Sequence, residues 1–194
     1  MTVDQPLTPE IIREFVIASH FNLDKVRALL TQMPALLNVR HQWGENDFED
    51  GLGAAAHVGN RPIAEFFLEH GSPLTIFAAA MLGRTNEVAS FLKADPALAN
   101  GHGAHHIPIL FHAALSGDTA LTTLLLEAGC TEGYDDALHA AIMPGHLDMV
   151  IWLLQHGAKD LQVLNYEGKS PLKKALEQEH TAIADVLRSR GAVE

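Results

Sequence analysis

Residues 136–158 read Asp136-Ala137-Leu138-His139-Ala140-Ala141-Ile142-Met143-Pro144-Gly145-His146-Leu147-Asp148-Met149-Val150-Ile151-Trp152-Leu153-Leu154-Gln155-His156-Gly157-Ala158, and this stretch decides the fold. Leu138, Ala141 and Ile142 fall at helical spacing and predict a helix with one packed face. Gly145 marks a tight turn. Leu147, Val150, Leu153 and Leu154 return to helical spacing, which predicts a second, antiparallel helix, and Gly157 stops it.

The same unit recurs along the chain. Its ruler is a turn residue, a large apolar pair eight and nine positions later, and a stop at the twelfth. Gly59 is followed by Phe67-Leu68 and Gly71, Gly83 by Phe91-Leu92 and Asp95, and Gly117 by Leu125-Leu126 and Gly129. At the ends Phe21 and Glu179 take the turn position, before Leu29-Leu30 and Leu187-Arg188. Small or apolar residues stand just ahead of each turn: Ile17-Ala18, Ala55-Ala56, Ala79-Ala80, Ala113-Ala114, Ala141-Ile142 and Ala175-Leu176. Their small size lets neighbouring helices approach closely. Six units follow, at about 8–38, 39–71, 72–98, 99–130, 131–158 and 159–194. Self-similarity at this spacing means stacked repeats in a single domain over 1–194.

End signals agree with this division. Thr8-Pro9-Glu10 reads as an N-cap, a proline in the first turn and an acid beside it. Asn60, Thr85 and Asp118 read as caps of second helices, and Asp136 as a cap of a first helix. The last unit carries Lys173, Lys174, Glu177, Gln178 and Glu179, the polar outer face that the end of a solenoid requires.

These residues resemble the ankyrin repeat family. Asp136 to Ala158 follow its T-P-L-H-x-A-A-x-x-G and V-x-x-L-L-x-x-G-A pattern most closely, and Ser170-Pro171-Leu172 repeats its start. Pro34-Ala35-Leu36 and Pro96-Ala97-Leu98 stand where bacterial-type members carry D-P-A-L. The resemblance implies an all-α ankyrin-repeat solenoid of about six helix-turn-helix repeats. The turn residues at 21, 59, 83, 117, 145 and 179 leave intervals of 38, 24, 34, 28 and 34, against a family unit of about 33. Two repeats are therefore shortened. Few β-hairpin fingers are expected, near 38–51, 99–108 and 160–170.

Composition excludes several functions. The net charge is −11, and no Lys or Arg occurs between Lys93 and Lys159. Nucleic acid and anionic membrane surfaces need basic groups, so neither is an expected partner. No apolar run reaches the ~20 residues of a membrane span, and Met1 to Glu10 has no secretory-leader pattern. The lone Cys130 cannot form an internal disulfide, which suits a cytoplasmic location. No nucleophile elbow, phosphate loop or H-E-x-x-H is present, and Gly51-Leu52-Gly53 lacks the strand context that a dinucleotide loop needs. No enzyme activity and no cofactor are expected.

The chain has 12 histidines. Most fall in repeat columns, and the resemblance gives His139 the task of bracing the adjoining loop. His102, His105 and His106 form a loop run of imidazoles without a partnered acid, and no metal site is expected from it. The resemblance further implies a concave face built from finger tips and first helices, met by the two residues before each turn. On that basis Val58, Met81, Leu82, Leu115 and Met143 are expected to floor a groove for a protein segment. Trp43 and the finger histidines His105 and His106 are expected at its rim, and His57 is expected to face the groove beside Val58. The function implied is non-catalytic protein–protein interaction by a monomer with an unidentified protein partner. One alternative is a small-molecule or metal pocket with His57, His105, His106 and Asp136 as its polar groups. Another is self-association through the apolar stripe.

Overall fold

A computed structural model describes residues 6–193; residues 1–5, which begin the segment read for a leader, and residue 194 lie outside the described residues. Among the described residues twelve α-helices run in order: α1 (Pro9–Phe21), α2 (Leu23–Gln32), α3 (Gly51–His57), α4 (Arg61–Glu69), α5 (Ile76–Met81), α6 (Thr85–Ala94), α7 (Ile109–Ser116), α8 (Thr119–Glu127), α9 (Tyr134–Ile142), α10 (Leu147–His156), α11 (Pro171–Glu177) and α12 (Thr181–Ser189). One hairpin, β1 (His41–Gly44) and β2 (Asp47–Glu49), lies between α2 and α3.

Each odd-numbered helix packs on the even-numbered helix that follows it. The first helices also stack on one another in the order α1, α3, α5, α7, α9, α11, and α6, α8, α10 and α12 stack behind them. The close stack depends on alanine. Ala54–Ala56, Ala78–Ala80, Ala113, Ala114, Ala140, Ala141 and Ala175 are fully buried. The second helices supply the larger core residues Phe67, Leu125, Leu153 and Leu187. Turn geometry shows why one column is glycine. Gly117 has φ +74, and a Cβ there would lie 2.8 Å from the His146 ring of the next repeat. His146 in turn hydrogen-bonds the Leu115 carbonyl through Nε2 at 3.2 Å. Neighbouring repeats are thus locked turn to turn.

The caps hold in most places. Thr8, Asn60, Asp118 and Ser170 each accept a first-turn N–H. Thr85 does not cap; it is the first residue of α6, and its hydroxyl donates to Asp118 in the next unit at 3.0 Å. Asp136 does not cap α9 either. That helix starts one turn earlier, at Tyr134 after Gly133, which leaves Asp136 inside its first turn. Asp135 does the local work instead, with one carboxylate oxygen accepting from the Lys159 and Asp160 amides. Gly51 and Gly53 lie in the first turn of α3, where Asp50 accepts from the Gly53 N–H at 2.7 Å.

Only the first of the three expected fingers is a strand pair, with His41 opposite Glu49 and Gln42 opposite Phe48. The second is closed by a single bridge between His102 and Pro108, and its tip is a 3₁₀ turn over Ala104–His106. The segment 160–170 turns on Asn165 and Gly168 without forming a strand. These two segments lack the β-branched and aromatic alternation that makes a strand worth pairing. Among the described residues no helix is long and apolar enough to cross a membrane.

Candidate functional site

The hairpin brings a carboxylate into the helix stack. Glu49 ends β2 with its side chain fully buried, at the edge where the hairpin meets α1 and α3. Three histidines from three other places converge on it. His20 comes from the last turn of α1, His57 from the end of α3, and His105 from the tip of the second finger. The Glu49 Oε1 atom lies 3.7 Å from His20 Nε2, 2.9 Å from His57 Nδ1 and 3.5 Å from His105 Nε2. One ligand atom from each of the four residues falls within 4.8 Å of all the others.

A second layer of hydrogen bonds fixes the orientation of these groups. His20 Nδ1 donates to the Val16 carbonyl at 2.9 Å. His105 Nδ1 donates to Asp47 Oδ2 at 2.9 Å, and its backbone N–H donates to Asp47 Oδ1 at 2.8 Å. Trp43 Nε1 donates to Glu49 Oε2 at 2.8 Å. Burial alone would push the Glu49 carboxyl up, but the His57, His20 and Trp43 groups outweigh it and hold the carboxyl below its ordinary range. Asp47 is lowered in the same way, with the His105 bonds overcoming burial. His20 is lowered chiefly by burial, against the pull of Glu49 and with His57 adding to it. The imidazolium form of His20 is thus disfavoured beside a carboxylate that stays ionised.

The histidines open onto an apolar pocket of about 420 Å³, walled by Phe21, Val58, Ile107, Phe111, Met143 and Tyr166. Phe21 is 75% exposed and Tyr166 88% exposed at its mouth. Of the expected floor, Val58 and Met143 line this pocket. Met81, Leu82 and Leu115 do not; all three are buried in the core. The shortened third repeat explains the correction. With no finger to hold α5 apart, α3 and α7 come into contact, and Leu115 packs over Gly59. The Arg61 guanidinium donates to the Met81 and Leu82 carbonyls and closes the same gap.

Trp43 is no rim residue. It is half-buried, with its indole N–H on Glu49 and its ring beside His41 and His105. His57 and His105 do come together, with ring centroids 5.2 Å apart. The run at 102–106 is divided by the fold. His102 reaches Glu132 at 3.4 Å, and His106 lines adjoining cavities, one of which also holds Asp136. His139 donates to the Val163 carbonyl at 2.9 Å and braces the loop. Burial pushes the Cys130 thiol up, so it is an inert filler. His20 stands just before the turn residue Phe21, as His57 does before its own turn, whereas Glu49 carried no signal in the sequence, because only the fold brings it together with three histidines from separate elements.

An ankyrin-repeat family model, in three copies, matches residues 110–193. Those residues run from α7 through α12. Over residues 110–193 the chain is built of ankyrin repeats. The ankyrin repeat protein FPV014 of Fowlpox virus (strain NVSL) is 32% identical to it over 128 residues, 61% of this chain and 28% of that one. The ankyrin repeat domain-containing protein SAT10 of Stachybotrys chartarum is 28% identical over 143 residues, 69% of this chain and 7% of that one. The chain therefore spans less than a third of the length of either relative. Ankyrin repeats are in general protein–protein interaction modules. The four converging residues all precede Leu110, where the family match begins.

Proposed function

We propose that this ankyrin-repeat protein is a non-catalytic scaffold that seats a segment of a partner protein in the pocket between its first helices and its fingers. The observation that carries the reading is the apolar wall of that pocket, with Phe21 and Tyr166 standing out at its mouth. Large exposed aromatics around a concavity mark an interaction surface. Met143 on the wall adapts its shape to what enters. The partner segment offers a bulky apolar side chain, since the pocket presents few polar groups besides the histidines at one end. The acidic charge of the chain favours a segment with flanking basic residues. Cys130 stays a thiol in a reducing, cytoplasmic setting.

The test is selection from a random peptide display library on the purified chain, counter-selected on a Phe21→Ser/Tyr166→Ser double variant. Both side chains are largely exposed, so the variant keeps its fold. Enriched peptides should share a bulky apolar anchor, and the double variant should bind them at least about tenfold more weakly, as loss of aromatic contacts at an interface implies. Peptides that bind wild type and variant equally would overturn the reading.

A further inference from the structure

We infer that His20 Nε2, Glu49 Oε1, His57 Nδ1 and His105 Nε2 bind one divalent transition-metal ion of the zinc class, which pins the first finger and the second finger tip to α1 and α3. Spacing is the first argument. A tetrahedral zinc ion with bonds of about 2.0–2.1 Å sets its ligand atoms about 3.3 Å apart. The three separations from Glu49 Oε1, at 2.9, 3.5 and 3.7 Å, bracket that value.

The hydrogen bonds make the second argument. His20 gives its Nδ1 proton to Val16, and His105 gives its own to Asp47. In the neutral rings each Nε2 therefore aims a lone pair at the Glu49 carboxylate, where like faces like. A proton on each Nε2 would relieve this only by forming charge-assisted bonds, which run to about 2.7–2.9 Å. The observed 3.5 and 3.7 Å are too long for such bonds and suit two ligands of one cation. His57 Nδ1 and Glu49 Oε1, although 2.9 Å apart, lack hydrogen-bond geometry, and both are buried without another partner. Buried polar atoms are rarely left so. A cation between them satisfies both.

The outer layer is that of a metal centre. A ligating histidine commonly donates its other nitrogen to a carbonyl or carboxylate, which sets the tautomer and the ring angle. Val16 and Asp47 do this for His20 and His105, and Trp43 holds the free oxygen of Glu49. The charges balance too: a divalent cation offsets the Glu49 and Asp47 carboxylates. Three imidazoles and one carboxylate suit zinc and its first-row neighbours better than magnesium or calcium, which prefer all-oxygen shells. Four protein donors fill a tetrahedral shell and give the ion a structural role.

The experiment is zinc titration of the chelator-treated full chain by calorimetry, with thermal unfolding measured in parallel. One equivalent should bind, and the melting temperature should rise with zinc. His105→Ala, on an exposed loop tip, should lose both effects while keeping a folded helical spectrum. His57→Ala should also lose binding. Asp47→Asn, at a positioning residue, should weaken zinc about 10- to 100-fold without altering the melting temperature of the metal-free chain. His102→Ala and His106→Ala should bind as wild type does. No stoichiometric binding, or binding that survives in His105→Ala, would overturn the inference. Loss in His102→Ala would do the same. None of these outcomes depends on what enters the apolar pocket.

Discussion

The two halves of this chain obey the ankyrin rules to different degrees. From α7 to α12 the turn glycines at 117 and 145 are in place, though only 28 residues apart, and the family match falls there. From α1 to α6 one repeat is short, the first finger is long, and a glutamate is buried among histidines. A regular stack leaves little room for a special site, because each repeat covers the next. Where the period breaks, an interior edge is left uncovered, and polar groups gather there. Local departures from a consistent pattern are where function is expected.

The sharpest way to break this comparison is to make one substitution at equivalent places in the two halves. Met81 and Met143 both stand two residues before a turn glycine. Met81 is 1% exposed inside the first half, whereas Met143 lines the pocket in the second. Met81→Glu buries a carboxylate with no partner and should cost several kcal/mol, enough to abolish cooperative unfolding in a urea titration. Met143→Glu should fold and lose peptide binding. If the two behave alike, the distinction between the halves fails.

Next in size is a contrast between glycines. A Cβ at Gly117 meets the His146 ring at 2.8 Å as well as a positive φ, while at Gly71, φ +93, it meets nothing within 4 Å. Gly71→Ala should cost about 1–2 kcal/mol from backbone conformation alone. Gly117→Ala should cost about 1–3 kcal/mol more, from overpacking. Denaturant midpoints of the two variants measure the difference.

A pH effect sharpens the account of α7, where the two halves meet. His112 on α7 is fully buried beside Phe77, and burial lowers it to about 3. The unfolded chain takes up a proton near the ordinary value of 6.5 that the folded chain refuses. Stability is therefore full above about pH 6.5 and falls as pH drops toward about 3. His112→Leu should flatten that part of the acid limb in thermal melts taken across the interval. The smallest effect is expected at Tyr166, which is exposed on the pocket mouth. Tyr166→Ala should shift stability by less than about 0.5 kcal/mol, read from the same melts, while weakening peptide binding.

The helix pairs were legible because they depend on neighbours in sequence. Leu138 and Ala141 share a helix face whatever surrounds them, and a glycine turn is set by its own φ. Asn60 and Asp118 were legible as caps for the same reason. Asp136 was misplaced by the choice of helix start, a matter of one turn that Gly133 decides. Met81, Leu82 and Leu115 were misplaced because interval lengths do not say which gap closes when a finger is missing.

The sequence by itself determined the repeating helix-turn-helix unit, the number of units and the acidic net charge of −11. Those follow from periodicity and composition, which are local or additive. Only the tertiary structure decided that residues 20, 49, 57 and 105 meet at one point, and that Trp43 turns inward to hold the carboxylate. That meeting depends on how a long finger folds back across a shortened repeat. Its geometry is fixed by packing between distant segments and by the demand that buried polar atoms find partners.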